Sequence, residues 1–156
     1  MNMMTPATSA AEWVTAHIAA SGYRTRIMCR GHVVVADEPG DVGGADTGPT
    51  PYELLLGALA ACTAMTVRMY ADRKQWPLEG VIVRLRPARA HAADCAACET
   101  EDVGVGRIAR EVDLLGTLTD EQRARLLHIA DRCPVKQTLE RGLRIDDTVQ
   151  TAPAGA

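Results

Sequence analysis

The chain has 156 residues, 47% of them apolar and 24% charged, with a formal net charge of -3. That length suits one domain with a real core, so residues 1–156 are expected to form a single domain frayed at its ends, about 1–11 and 150–156. The mild negative charge and the scatter of basic residues give no footprint for nucleic acid or an anionic membrane, and neither is expected as a partner. No stretch reaches the roughly 18 uninterrupted apolar residues of a membrane span; the closest, 54–67, stops at Arg68 and contains two threonines. The start, MNMMTPATSAAEW, lacks the charged segment and long apolar run of a secretory signal. Five cysteines leave at least one thiol unpaired within a monomer. Together these point to a cytosolic, reducing compartment, where cysteines are buried, catalytic or metal-binding.

Residues 12–37 read as a three-stranded meander, TAHIAA, YRTRIMC and HVVVAD, with Ser21-Gly22 and Arg30-Gly31 as candidate two-residue hairpin turns. A helix over 11–20 competes for the first strand because alanine is abundant there. EPGDVGGADTGPTP, rich in Gly, Pro and Asp, is a loop. A helix then opens with Thr50 as cap, Pro51 in the first turn and Glu53 completing a Thr-x-x-Glu capping box. It runs to about Lys74 and ends before Trp76-Pro77. From 54 to 62 every residue is apolar or glycine, so this helix is expected to be enclosed on all sides, with a partner subunit covering one of them.

VIVRLR (81–86) and RIAREVDLL (107–115) read as strands around a polar segment. A second capping box, Thr119 to Gln122, opens a helix that continues to about Arg132, where Cys133-Pro134 breaks it. PVKQTLER is a last helical piece stopped by Gly142, and a strand around 143–146 closes the chain. The order is that of an α+β domain with helices segregated from mainly antiparallel sheets.

Three constellations can carry chemistry. Cys62 lies in the all-apolar stretch of the central helix, where a lone cysteine is ordinarily a small buried hydrophobe. Cys133 precedes proline, which pushes it out of helical geometry and to the N-cap of the next helix. There, free backbone N–H groups and the helix dipole favour thiolate, although a plain kink residue fits the spacing equally well. The third is His91-x3-Cys95-x2-Cys98. It offers three ligands for zinc or another soft metal, with His128 or His32 as a fourth by tertiary contact; it also reads as an auxiliary redox pair, or as a polar loop without function. His32, Asp37 and Glu38 read as a strand end and its solvated turn, Cys29 and the Met65-Met69 pair as core packing, and His17 carries no signal.

The block GPTPYELLLGALAACTAMTVRMYADRKQWPLEGV, followed further along by LLHIADRCPVKQTLE, resembles the OsmC/Ohr family over roughly residues 23–146. The lead-in DEPGDVGGADTGPTPYELLL matches its OsmC-like branch. The resemblance implies an OsmC-like fold, with antiparallel sheets wrapped around a long buried central helix in an intertwined homodimer. It implies a thiol-dependent peroxidase that reduces organic hydroperoxides, and hydrogen peroxide less well, with no cofactor required. Cys62 would be the peroxidatic thiol and Cys133 the resolving thiol, reset by a dithiol or dithiol-protein reductant. In well-studied members the helix opens Asn-Pro-Glu, and that glutamate pairs with an activating arginine. Here the matching residue is Tyr52 and the glutamate follows as Glu53, a shift that turns the side chain by about 100°. Arg24, Arg26 and Arg30 are the candidate arginines, of which Arg24 and Arg26 share one face of a strand. The competing readings are a non-catalytic dimer binding an apolar ligand or a metal, and a metal-stabilised dimer without a small-molecule role.

Overall fold

The computed structural model describes residues 13–87 and 106–148. The backbone groups into two compact units, one of residues 1–57 and 86–109 and the other of 58–85 and 110–156. The architecture is α+β, with antiparallel sheets and one long helix.

Unit one holds a meander of β1 (Thr15–Ile18), β2 (Thr25–Cys29) and β3 (His32–Ala36). The expected strands are all present, and the competing helix over 11–20 is excluded where β1 pairs with β2. Cys29 pairs with His32 across Arg30-Gly31, whose φ angles of 50° and 85° are those of a type I′ turn with the twist a hairpin needs. The other junction differs from expectation. Ile18 pairs with Thr25, so residues 19–24 form a longer connection, and Ser21-Gly22 is one part of it rather than the whole turn.

The loop after β3 is built around a buried carboxylate. One oxygen of Asp37 accepts the N–H of Glu38 at 2.9 Å; the other accepts the N–H groups of Ala45 and Thr47 and the Thr47 hydroxyl, the last at 2.7 Å. Those bonds, led by the Thr47 hydroxyl, hold its pKa below the usual carboxylate range. Asp37 is therefore a structural anchor, not part of a solvated turn: it is 2% exposed. Gly44 and Gly48 let the loop close tightly, because a Cβ at either would collide with the backbone carbonyls of Glu38 and Val35.

Helix α1 (Pro51–Lys74) begins as its capping box dictates. The Glu53 carboxylate accepts the Thr50 N–H at 2.8 Å and the Thr50 hydroxyl accepts the Glu53 N–H at 3.3 Å. Among the described residues it is the one helix long and apolar enough, by length and composition, to cross a membrane, a test that core helices of soluble proteins also pass.

In unit two Val67 and Ala71 of α1 are fully buried with Leu78, Leu114, Leu126 and Ala130. Strands β4 (Gly80–Pro87) and β5 (Ile108–Leu115) pair, with the Glu79 N–H donating to the Leu115 carbonyl. Helix α2 (Asp120–Ala130) carries the expected Thr119–Gln122 capping box, and α3 (Pro134–Arg141) stops at Gly142 with φ of 76°. Arg125 stacks over the Tyr70 ring, 5.5 Å from its centroid, and donates to its hydroxyl.

One expectation fails here. Residues 143–146 form no strand; Leu143 and Ile145 are exposed, and no strand among the described residues pairs with their backbone. The single chain covers α1 only in part. Ala58, Ala61, Met65 and Met69 form an exposed stripe at helical spacing, with Met65 63% exposed, because one chain has too few elements to surround so apolar a helix. The Met65–Met69 pair is thus surface rather than core in the single chain.

Candidate active site

The approach of Cys62 and Cys133 follows from how unit two is built. Thr63, one residue past Cys62, is fully buried and returns its hydroxyl to the Leu59 carbonyl at 2.8 Å, which lets an apolar helix carry a polar group inward. Thr66 does the same toward the Cys62 carbonyl at 2.7 Å. On the other side, α2 ends in a turn in which the Cys133 N–H donates to the Ala130 carbonyl at 3.3 Å. Arg110 of β5 fixes that turn, its guanidinium donating to the Ala130 carbonyl at 3.0 Å and to the Asp131 carboxylate at 2.6 Å.

Cys133 then adopts extended backbone, φ -53° and ψ 124°, as a residue before proline must, and becomes the N-cap of α3. Its carbonyl accepts the Gln137 N–H at 3.1 Å. The sulfur is fully buried and faces the N–H groups of Val135 and Lys136, without the alignment of a full cap hydrogen bond. It also meets the Cys62 thiol and the Thr63 hydroxyl. Both thiols are free.

The two sulfurs differ in charge preference. Burial works against a Cys133 thiolate, but the Lys136 N–H, the Cys62 thiol, the Thr63 hydroxyl and the Val135 N–H together outweigh it and hold its pKa below the usual cysteine value. Cys62 lies above the usual value. Burial is the main cause, helped by its position beside Cys133 and only partly offset by the Val135 N–H and the Thr66 hydroxyl. Access runs the other way, since Cys62 is partly exposed and Cys133 is not.

Arg24, Arg26 and Glu53 belong to unit one, whereas Cys62 and Cys133 belong to unit two. Arg24 and Arg26 project from the exposed face of the β2 segment beside Arg30, and the Glu53 carboxylate is engaged in capping α1. Cys29 faces the half-buried side of β2. His91, Cys95 and Cys98 lie outside the described residues. Unit one also has an open apolar groove of about 360 Å³ lined by Ile18, Tyr23, Ile27, Ala36 and Leu54. Sequence reasoning overlooked Thr63, Lys136 and Arg110 as parts of the thiol site. The threonine interrupting an apolar helix directly after Cys62 was the available signal; the contribution of Arg110 depends on tertiary contact alone.

The sequence model of the OsmC-like protein family matches residues 43–146. No curated protein matches the chain. Among solved structures it is similar to an OsmC-like protein from Mycoplasma pneumoniae, with 18% identity, 85% of this chain and 89% of that one covered, and a TM-score of 0.67. A Legionella pneumophila protein described as an organic hydroperoxide resistance protein OsmC is similar at 18% identity, with 83% and 90% covered and a TM-score of 0.57. An OsmC-like protein of unknown function from Vibrio cholerae is similar at 13% identity, with 81% and 92% covered and a TM-score of 0.57. The structural likenesses carry the fold; with the family match spanning well over half its length, the chain belongs to the OsmC-like protein family.

Proposed function

We propose that this protein is a thiol-dependent peroxidase for organic hydroperoxides, working through Cys62 and Cys133. The observation that carries the reading is the meeting of a partly exposed thiol on an apolar helix with a second thiol at a helix N-terminus. The Cys62 thiolate attacks the terminal oxygen of the hydroperoxide; the O–O bond breaks, the alkoxide leaves and is protonated to the alcohol, and Cys62 becomes a sulfenic acid. Cys133 condenses with it, forming a disulfide and releasing water. A dithiol or dithiol protein then resets the pair by exchange. Family membership and the Legionella relative described as a hydroperoxide resistance protein support this chemistry.

The working form is a homodimer in a reducing, cytosolic compartment. The exposed Met65–Met69 stripe of α1 and, within unit one, the exposed Trp13, Met28 and Val33 each support a second copy as cover, since large apolar side chains left in water mark surfaces that partners bury. One specific observation favours a different reading: the apolar groove of unit one, together with Tyr52 where the family pattern has glutamate, suits a non-catalytic dimer that binds an apolar ligand. Stopped-flow oxidation by cumene hydroperoxide of the wild type, Cys62→Ser and Cys133→Ser separates the two. A peroxidase gives a fast wild type, an inert Cys62→Ser and a Cys133→Ser that stalls at sulfenic acid. A binding module gives three chains that react no faster than a free thiol.

A further inference from the structure

Asp131, Arg132 and Cys133 alone join α2 to α3, so the second thiol of the pair stands on a very short link. Pro134, which has no N–H and a fixed φ, stiffens the chain just past Cys133. Before it, a side chain of β5 holds the link. The Arg110 guanidinium donates through Nη1 to the Ala130 carbonyl at 3.0 Å and through Nη2 to the Asp131 carboxylate at 2.6 Å. The same Ala130 carbonyl accepts the Cys133 N–H at 3.3 Å, so the arginine and the cysteine share one acceptor. We propose that Arg110 is a positioning residue for the second half of the reaction: its fork sets where the Cys133 sulfur stands when it closes the disulfide with Cys62. The inference rests on the peroxidase reading above and adds to it what makes resolution efficient.

The geometry is that of a clamp. Arg110 is 16% exposed and Asp131 59%, so the guanidinium is anchored inside the unit and holds a carboxylate at its surface. Asp131 also meets the Lys136 ammonium at 3.8 Å, and Lys136 pairs with Glu140 at 2.8 Å. Charges of alternating sign therefore run from β5 across the end of α2 into α3, on both sides of Cys133. Cys133 itself is fully buried, so its sulfur cannot swing through solvent to find a partner and has to be placed beforehand. A planar fork on two acceptors fixes direction as well as distance, which a lysine ammonium cannot do. A displacement of about 1 Å at a reacting atom can slow a step by about a hundredfold.

In the step concerned, the Cys133 sulfur attacks the sulfenic sulfur of Cys62. The S–S bond forms, the S–O bond breaks, and the Cys133 proton leaves with the hydroxide as water. The oxidising equivalents come from the peroxide already consumed at Cys62. A loosened turn should slow this closure and leave the sulfenic acid open to a second peroxide, which carries it to sulfinic acid.

Both steps can be followed when the full chain reacts with cumene hydroperoxide, is quenched in acid and is mapped by peptide mass spectrometry. Loss of the Cys62 thiol reports the first step, and growth of the Cys62–Cys133 disulfide reports the second. Arg110→Met should keep the first within about twofold and slow the second by about tenfold or more, with Cys62 sulfinic acid accumulating in excess peroxide. Arg110→Lys keeps the charge without the fork and should recover only part of the second step. Arg123→Met controls for simple destabilisation. It removes hydrogen bonds to the Leu114 carbonyl at 2.8 Å and the Gly116 carbonyl at 2.9 Å in the same unit, and should slow closure no more than about twofold. Closure is also started without peroxide: dithiodipyridine converts Cys62 to a pyridyl mixed disulfide, from which Cys133 displaces pyridinethione, and Arg110→Met should slow that displacement similarly. The proposal is overturned if folded Arg110→Met closes the disulfide at the wild-type rate, if Arg110→Lys closes it as fast as wild type, or if Arg123→Met slows closure equally. A wild-type Cys62 that meets peroxide no faster than a free thiol removes the peroxidase reading instead. The dithiodipyridine reaction then still decides the role of Arg110, and an unchanged displacement in Arg110→Met overturns it.

Discussion

Unit two has a buried apolar core of its own, although Met65, Met69, Leu143 and Ile145 stay exposed, whereas the meander of unit one leaves most of its large apolar side chains in water. In unit two Val67, Leu126 and Ala71 are fully buried, and four arginines tie it together: Arg68 to the Leu78 carbonyl, Arg110 to the end of α2, Arg123 to the end of β5 and Arg125 to Tyr70. In unit one the three-stranded sheet exposes Trp13 at 92%, with Val14, Met28 and Val33 also open, and its firmest internal feature is polar: the loop gathered on Asp37. A small meander with apolar side chains left open is marginal alone in water. The difference teaches where each unit draws its order. Unit two is shaped by its own core, and the thiol pair sits where that core holds still. Unit one has the surface of a component awaiting cover, which the proposed second copy provides.

The largest effect expected from this contrast is chemical. Cys62→Ser in unit two should reduce hydroperoxide turnover by at least about a thousandfold, as losing a covalent nucleophile does. Cys29→Ser in unit one should leave it within about twofold, since Cys29 is read as a packing residue on the half-buried side of β2; equal losses would break the assignment of chemistry to unit two. Next comes packing. Leu126→Ala should cost about 2–5 kcal/mol in denaturant unfolding, because a fully buried leucine leaves a cavity. Val33→Ala on the exposed sheet should stay within about 0.5 kcal/mol in dilute protein. A cost for Val33→Ala that grows with protein concentration would sharpen the case for a covering second copy.

Acidification separates the units further. Asp37 has a depressed pKa in the folded chain, so its contribution is complete above the unfolded carboxylate value and is lost as pH falls through the lower folded value. Hydrogen exchange at the Ala45 and Thr47 amides should therefore quicken, relative to α2, by at least about threefold as pH drops through that window, once intrinsic rates are divided out. Asp37→Asn should remove the pH dependence. The smallest effect is capping: Thr119→Ala and Thr50→Ala should each cost about 1 kcal/mol, read as a lowered denaturant midpoint.

Much of this organisation was legible locally. Capping boxes at Thr50 and Thr119, the Arg30-Gly31 turn and the break at Cys133-Pro134 are decided by a few neighbouring residues, and the structure follows each of them. What failed depended on distant partners. Residues 143–146 alternate like a strand, but alternation supplies no neighbour for the backbone to pair with. Asp37 resembles any acidic turn residue until Ala45 and Thr47 are folded back onto it. The run from 54 to 62 signalled burial, yet nothing in its pattern shows which chain provides the cover. At the site, Cys133 as an N-cap could be read from the proline alone. Its contact with Cys62 could not, because α1 and α3 are far apart in sequence and meet only through the packing of unit two.

The most direct test treats the reduced protein with one equivalent of cumene hydroperoxide and maps all five cysteines by mass spectrometry against time. The account predicts a Cys62–Cys133 disulfide as the first and dominant product, formed faster than a free thiol reacts and absent from Cys62→Ser. Oxidation spread evenly over Cys29, Cys62, Cys95, Cys98 and Cys133 at the rate of a free thiol would contradict it.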